Sequence, residues 1–262
     1  MKYLTVYKNA LSSFLQYRMN LGLLVISHMV SLTGLVFLWI SIYAAGQTVG
    51  SYTLEGILFY YIALTILRTV VAEGVGMAFE ISQEINQGII ANYMLKPFSY
   101  TFEQFYKFLG KVTINAIFIF PIVAVLVYFF YDFVPFPGTT GWLQFVGMSA
   151  IAALFYFLIY YFASLSSFWL VSGRSAVYGM IIISNLLNGS LLPLDLFPLW
   201  FQNINNYLPF QYLIFVPIQA LLGRIEDWTV ILIGCSVWIL LLLLLIKATW
   251  MSGIKKFEAV GR

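Results

Sequence analysis

Six long apolar stretches, separated by shorter polar segments, set the pattern of the chain. They cover residues 21–45, 54–79, 112–131, 142–170, 176–192 and 228–246. A bilayer core about 30 Å thick needs roughly 20 residues of helix per crossing, so each stretch is long enough, or nearly so, to span a membrane. Their apolar residues run continuously and do not alternate with period 2, which argues against a membrane β-barrel. We therefore predict an all-α membrane protein with six transmembrane helices.

Two further segments are apolar in part but do not read as spans. Residues 193–227 are interrupted by Pro193, Pro198, Pro209 and Pro217, and the pieces between these prolines are too short to cross. We predict that this segment forms short re-entrant or interfacial helices on the outer face, before the sixth span. Residues 3–18 place apolar side chains at steps of three and four, which predicts an amphipathic helix in the inner interface, within segment 1–20.

Residues 80–111 form the most polar window of the chain and its one sizeable cytoplasmic loop. Gly88 interrupts the helical pattern and Pro97 ends a short apolar stretch, so we expect two helical pieces joined by a bend. Glu80 and Glu84 are one helical turn apart, where like charges repel. A basic group should therefore lie opposite them, supplied by a partner protein or by one of three lysines of the same window: Lys96, Lys107 or Lys111.

Composition supports a membrane protein and excludes other classes. The 262 residues are 62% apolar and only 9% charged, whereas a soluble domain is roughly half apolar and a quarter charged. The same excess of apolar residues argues against disorder. The net charge of +3 is too small for a nucleic-acid binder, so lipid is the expected surrounding and nucleic acid is not an expected partner. We assign the whole chain, 1–262, to a single transmembrane domain.

The distribution of basic residues predicts the orientation. Short cytoplasmic loops carry the excess of Lys and Arg. With the N-terminus inside, the cytoplasmic segments hold eleven of the thirteen basic residues, including those of the tail 247–262. We therefore predict a multi-pass protein of the cell membrane with both termini in the cytoplasm.

Catalytic machinery is absent from the sequence. A single histidine, His28, rules out two-histidine zinc motifs, and a single cysteine, Cys235, cannot form a thiolate cluster. The chain also lacks the glycine-rich phosphate-binding motif of ATPases. We predict that it is not an enzyme and holds no metal or cofactor. His28 lies within the first span, where a neutral ring bonded to a neighbouring helix is favoured over a proton relay.

Four polar residues lie within the spans and are candidates for a transport pathway. Arg68 is about 18 Å along the helix from Glu80, and charge at membrane depth usually faces a partner or a water-filled cavity. Glu73 is about 140° around the helix from Arg68, so a bond between these two is doubtful and each needs another partner. Structural pairing and pathway lining both remain open. Asn185 and Asn188 of the fifth span could bind substrate, although tying helices together is the favoured account.

The polar window carries a resemblance to a known family. Its pattern is made by Glu80, Ile81, Glu84, Ile85, Gly88, Ile90, Tyr93, Leu95, Lys96 and Pro97. It resembles the loop after the second span of type-2 ABC exporter permeases, in which an acidic helix, a glycine, a leucine and a proline precede the third span. The amphipathic N-terminal helix with Tyr17, Arg18 and Asn20, the six spans and the outer helices are similar too. The resemblance extends over essentially the whole chain.

The resemblance implies a permease subunit of an ATP-driven ABC exporter that has no ATPase domain of its own. A second permease chain, identical or related, would complete the path, and a separate cytosolic ATPase would carry ATP and Mg²⁺. Residues 1–20 would form the interfacial elbow helix. The residues that couple to the ATPase would be Glu80, Glu84, Gly88, Tyr93, Leu95, Lys96 and Pro97.

Other classes stay open, and the cargo is not defined by these residues. An ion-gradient-driven carrier would be expected to show interrupted spans in both halves and carboxylates near the midplane, where only Glu73 is plausible. A non-transport membrane subunit is a further alternative. Few charges in the spans and 19% aromatic residues suit an amphiphilic, lipophilic or aromatic-cation cargo.

Overall fold

A computed structural model describes residues 2–16, 18–46, 49–71, 73–94, 99–130, 137–170 and 172–260. In this part of the chain the structure is helical, with no strand beyond one isolated bridge between Val49 and Tyr52. The α-helices are α1 Lys2–Gln16, α2 Arg18–Ala44, α3 Leu54–Val71, α4 Glu73–Asn86, α5 Ile90–Met94, α6 Tyr100–Phe130, α7 Thr139–Leu165, α8 Gly173–Leu187, α9 Leu199–Asn206, α10 Phe215–Leu221 and α11 Trp228–Val260. The prediction of an all-α protein is confirmed.

Four helical segments in the described ranges are long and apolar enough to cross a membrane: Ile26–Ala44, Leu54–Asn86, Thr139–Phe168 and Trp228–Phe257. They correspond to the predicted spans 21–45, 54–79, 142–170 and 228–246. The predicted span 112–131 lies in α6 except for Tyr131, which is outside the described residues. A total of six spans therefore stays a prediction.

The predicted boundaries of the fifth span, 176–192, are wrong. Helix α8 begins at Gly173 and ends at Leu187, so its 15 residues extend about 22 Å. The chain turns at Gly189, whose φ of +85° is a left-handed conformation that favours glycine. Tyr60 of α3 donates a hydrogen bond to the Gly189 carbonyl at 2.7 Å, and Tyr61 donates one to the Leu191 carbonyl at 2.7 Å. These bonds fix the turn while the sequence is still apolar.

The bundle has two ends, which are defined by the contacts of α7. At one end, Gly141 lies against the Leu221 carbonyl of α10. At the other end, Ser167 donates a hydrogen bond to Ser82 at 2.9 Å, and Phe168 packs against Trp250 of α11. We call these the distal end and the basic end, because α1, the segment 80–111 and Arg174 lie at the second one.

The interior of the bundle is built from α3, α4 and α7. In an 18-residue apolar window of each candidate span, 56% of the residues are buried for Leu54–Asn86 and 61% for Thr139–Phe168, against 6% for Ile26–Ala44 and 17% for Trp228–Phe257. Gly74 lets α4 approach α7 closely, because a Cβ at this position would lie 3.3 Å from Tyr156 Cβ. Helices α2 and α11 therefore form the periphery and present most of their apolar side chains outward.

The polar segment 80–111 is largely helical. Its first part belongs to α4 and its last part to α6, and α5 lies between them. The segment 193–227 contains α9 and α10 together with 3-10 turns at Leu194–Leu196 and Pro209–Leu213. Helix α11 runs through most of the predicted tail 247–262, because its 33 residues continue without a break to Val260.

Candidate functional site: polar groups at the basic end and within the bundle

Lys111 of α6 lies opposite the acidic face of α4. Its Nζ is 3.1 Å from Glu80 Oε1 and 3.8 Å from Glu73 Oε2. Seven residues, or about two turns, separate the two glutamates, so both lie on the side of α4 that faces α6. The Glu80 side chain is 60% exposed, so its bond with Lys111 contributes little stability. Of the three lysines considered from the sequence, Lys107 and Lys111 lie in the described residues, and Lys111 is the one of these two that pairs with Glu80.

Glu84 points into the bundle. Its Oε2 accepts a hydrogen bond from the Tyr100 hydroxyl at 2.5 Å and one from Gln104 Nε2 at 3.3 Å. Burial and the Glu84 carboxylate raise the pKa of Tyr100 well above its usual value, so the phenol stays protonated and remains a donor. The Tyr100 ring also stacks on Trp250 with a centroid distance of 5.4 Å. Glu84 thereby connects α4 with α6 and, through Tyr100, with α11.

A bend at Gly88 separates α4 from α5. Gly88 has φ +74°, and its N–H donates to the Ile85 carbonyl at 3.1 Å, which ends α4 in the manner typical of a glycine after a helix. Helix α5 is anchored by Ile90, which is buried, and by Tyr93, whose ring meets Tyr100 edge-on at 5.0 Å. The remaining coupling candidates of the sequence, Leu95, Lys96 and Pro97, lie outside the described residues.

The outward surface of this region consists of side chains that the sequence did not single out. Ile89, Ala91 and Asn92 are exposed around α5, and Gln87 is exposed just before the bend. Helix periodicity could have identified them. Ile90 and Tyr93 are three residues apart and so share one face of the helix, which leaves their neighbours on the opposite face. We call Gln87, Ile89, Ala91 and Asn92 the α5 surface.

Arg68 and Asn185, which the sequence proposed separately, meet inside the bundle. Arg68 Nη2 donates a hydrogen bond to Asn185 Oδ1 at 3.0 Å and so connects α3 with α8. Glu73 interacts instead with Lys111, so the two charged residues of this helical region have separate partners. A cation at the bilayer centre costs about 2.5–3.5 kcal/mol on insertion scales, and one hydrogen bond to a charged group returns about 1.5–3 kcal/mol.

His28 and Asn188 have structural partners. His28 Nδ1 lies 2.9 Å from Thr69 Oγ1, and the Thr69 hydroxyl donates to the Thr65 carbonyl at 2.8 Å. The Thr69 proton is thus engaged, and we infer that His28 Nδ1 is the donor in its own bond. Asn188 Oδ1 accepts the Ser190 N–H at 2.9 Å and shapes the turn after α8. Both side chains hold helices or turns in place.

A second polar network lies at the distal end and was not predicted. The Tyr52 hydroxyl donates to Asp195 Oδ2 at 2.9 Å and accepts from Gln219 Nε2 at 2.9 Å, while the Arg224 guanidinium lies 4.2 Å from the centre of the Tyr52 ring. Asp195, Gln219 and Arg224 border an open cleft of about 950 Å³. The network attaches the segment 193–227 to the start of α3. Within the described residues, no three His, Cys, Asp or Glu side chains are grouped so as to hold a metal ion.

These features define a multi-helical membrane protein with polar groups at both ends and, among the described side chains, one arginine inside the bundle. The family model for the ABC-2 family transporter protein matches residues 29–261. The chain therefore belongs to the ABC-2 transporter family, which confirms the resemblance to ABC permeases seen in its sequence. A comparison with curated proteins found no match.

Proposed function

We propose that the chain is the permease subunit of an ATP-driven ABC exporter, that it forms half of the transmembrane path, and that it couples to a separate cytosolic ATPase. Membership of the ABC-2 family supports the permease class. A second permease chain, identical or related, completes the path, and ATP and Mg²⁺ are bound by the ATPase. The chain lies in the cell membrane with both termini in the cytoplasm, so the basic end is the cytoplasmic end.

The α5 surface is the observation that best supports coupling at this place. It is a short exposed helix whose buried side, at Ile90 and Tyr93, rests on Tyr100 and Lys107 of α6. A force applied to α5 is therefore passed directly to α6, and through Tyr100 and Glu84 to α4. Helices α4 and α6 are therefore held together by direct side-chain contacts, as a coupling element requires.

This geometry divides the coupling candidates into two roles. Glu84 and Tyr93 face the bundle and transmit movement, whereas the α5 surface and the exposed Glu80 contact the ATPase. A substitution on the α5 surface should therefore abolish docking. Glu84→Lys should leave membrane insertion intact and uncouple ATP hydrolysis from transport, because it breaks the bonds to Tyr100 and Gln104.

The test is an affinity pull-down of the detergent-solubilised chain from its native membrane, with co-purifying proteins identified by mass spectrometry. We expect wild type to recover an ATPase with a phosphate-binding loop. Recovery should be lost with Asn92→Lys and with charge reversal at Glu80 and Glu84. It should persist with the matched control Asn203→Lys, which changes an exposed asparagine of α9 at the distal end. Repeated recovery of folded chain alone would contradict the proposal and favour a secondary carrier or a non-transport subunit.

A further inference from the structure

Arg68 has no carboxylate partner in the described part of the chain. Of the ten acidic residues of the sequence, all but Asp132 and Glu258 have described side chains, and none of these eight carboxylates lies within 4.0 Å of Arg68. Among the described residues, the guanidinium makes one hydrogen bond, to Asn185, which is neutral. A guanidinium has five N–H donors, so most of its donor capacity is free within these residues.

Among the described side chains, the groups around Arg68 are neutral and polar, and none of them is an anion. His28 on α2 and Tyr156 and Tyr160 on α7 lie close enough for electrostatic interaction with the guanidinium. Tyr160 donates its hydroxyl proton to Ser184 of α8 at 3.2 Å. The positive charge is therefore not neutralised locally, and this part of the bundle favours an anion and disfavours a cation.

The hydrogen bond to Arg68 fixes the orientation of the Asn185 amide. Its Oδ1 accepts from Arg68, so its NH₂ group is directed away from the guanidinium and is a separate donor near it. Ser190 donates to the Asn185 backbone carbonyl at 3.1 Å, which holds this end of α8 in position. The planar guanidinium can engage two oxygens of a carboxylate or phosphate at once, which an ammonium cannot do with the same geometry.

An apolar surface lies beside this cation on α8. Ile182 and Leu186 are exposed, with 71% and 45% of their surface accessible. Ile182 and Leu186 are one turn apart and share a face of the helix, and Asn185 lies about 60° around the axis from Ile182. A cation with free donors next to an exposed aliphatic stripe matches a molecule with an anionic head and a hydrocarbon body.

We propose that Arg68 and Asn185 bind the carboxylate or phosphate head of an anionic amphiphile, whose hydrocarbon lies along Ile182 and Leu186. This inference rests on the proposed function, because it assigns the amphiphile as the cargo of the permease path. It replaces the broader expectation from composition, which included aromatic cations.

The test uses the purified full chain in nanodiscs of phosphatidylcholine, with a dansyl-labelled undecanoate as the fluorescent probe and empty nanodiscs as background. We expect saturable binding that dodecanoate and dodecyl phosphate displace and that dodecyltrimethylammonium does not. Arg68→Gln should weaken binding by about tenfold or more, the effect of losing one charge-assisted interaction. Arg174→Gln is the matched control, because Arg174 also donates to a neutral amide, that of Gln83 at 2.8 Å, but at the basic end.

A second pair of variants keeps the test decisive if Arg68→Gln does not fold. Ile182→Glu places an acidic group on the stripe and should prevent binding of the anionic probe, whereas Ile182→Gln should retain it. Equal binding by wild type and Ile182→Glu, or equal displacement by the cationic and anionic amphiphiles, would overturn the proposal.

Two further comparisons distinguish a bilayer lipid from a free amphiphile as the ligand, and distinguish a failure of this proposal from a failure of the proposed function. If a bilayer lipid is the ligand, replacing phosphatidylcholine with phosphatidylglycerol will reduce probe binding in wild type but not in Arg68→Gln. If a free amphiphile is the ligand, the exchange will leave probe binding unchanged. The nanodisc contains no ATPase, so a failed ATPase pull-down does not affect this result, and absent probe binding leaves the pull-down result intact.

Discussion

Helix α1 should depend on Gly110 of α6 for its docking. A Cβ added at Gly110 would lie 2.8 Å from Ala10 Cβ and 3.2 Å from the Tyr7 carbonyl oxygen. Ordinary contacts begin near 3.4 Å, so α1 would have to move by about 0.6 Å, and overpacking of this kind costs about 1–3 kcal/mol. The same substitution stabilises α6 by about 1 kcal/mol, because alanine has a higher helix propensity than glycine. The net destabilisation by Gly110→Ala should therefore be about 0–2 kcal/mol.

A double-mutant cycle isolates the contact from the propensity terms. Ala10→Gly alone should cost about 1 kcal/mol of helix propensity. In the double variant the propensity changes cancel and the contact with Ala10 Cβ is gone, so its stability should return close to that of wild type. The coupling energy should be about 1–3 kcal/mol, or about 2–12 °C in apparent Tm at roughly 2–4 °C per kcal/mol for a chain of this size.

The chain supplies its own reporter for this cycle. Cys235 is its single cysteine and is buried, so a thiol-reactive fluorophore will report the heating step at which the fold opens. All variants are compared at one scan rate in the same detergent. Gly147→Ala is the control, because its Cβ would meet no atom within 4 Å and the change should be neutral or slightly stabilising. Additive effects of the two single variants would show that α1 does not dock through this contact.

Two further substitutions test local geometry by the same thermal assay. Gly189→Ala should destabilise the fold by at least about 1–2 kcal/mol, because the position has φ +85° and its Cβ would lie 2.8 Å from the Tyr60 hydroxyl. The control Gly179→Ala, in open space on α8, should not destabilise the fold. Equal effects of the two substitutions would refute the role of the turn. Asp227→Ala should lower Tm at pH 7 while Asp227→Asn largely preserves it, because the carboxylate caps α11 by accepting the N–H groups of Thr229 and Val230. These bonds lower the pKa of Asp227 in the folded protein. The stability that the Asp227 carboxylate contributes is therefore present above its pKa in the unfolded chain, and it is lost as the pH falls through its pKa in the folded protein. A Tm that is equally low for both Asp227 variants would contradict the capping role.

Features that depend on helix periodicity could be read from the sequence. The angle of about 140° between Arg68 and Glu73 follows from five residues at 3.6 per turn and made a bond between them doubtful. In the structure Arg68 bonds to Asn185, and Glu73 lies beside Lys111. The opposition of a lysine to Glu80 followed from charge repulsion within one helix face, although the sequence left three lysines equivalent. Of the two lysines in the described residues, the packing of α6 on α4 places Lys111 beside Glu80, whereas Lys107 pairs with Glu103.

Features that depend on tertiary packing could not be read in this way. Asn185 is 117 positions from Arg68, and their pairing requires the relative rotation of two helices that no local pattern determines. The end of α8 was placed five residues too late, because the apolar pattern continues beyond Leu187 while hydrogen bonds from Tyr60 and Tyr61 turn the chain. The inward orientation of Glu84 likewise depends on Tyr100, which lies on a different helix.

The contrast between Lys111 and Arg68 bears on why each charge is present. Lys111, whose side chain is 22% exposed, lies at the basic end beside two carboxylates, Glu80 and Glu73, which balance its charge. Arg68 lies deeper, and its bond to Asn185 returns about 1.5–3 kcal/mol against an insertion cost of about 2.5–3.5 kcal/mol. A pair of aliphatic side chains would connect α3 to α8 without that cost. Stability therefore does not account for Arg68, whereas the proposed recognition of an anion would, because it requires a charge that has no counter-ion among the described side chains.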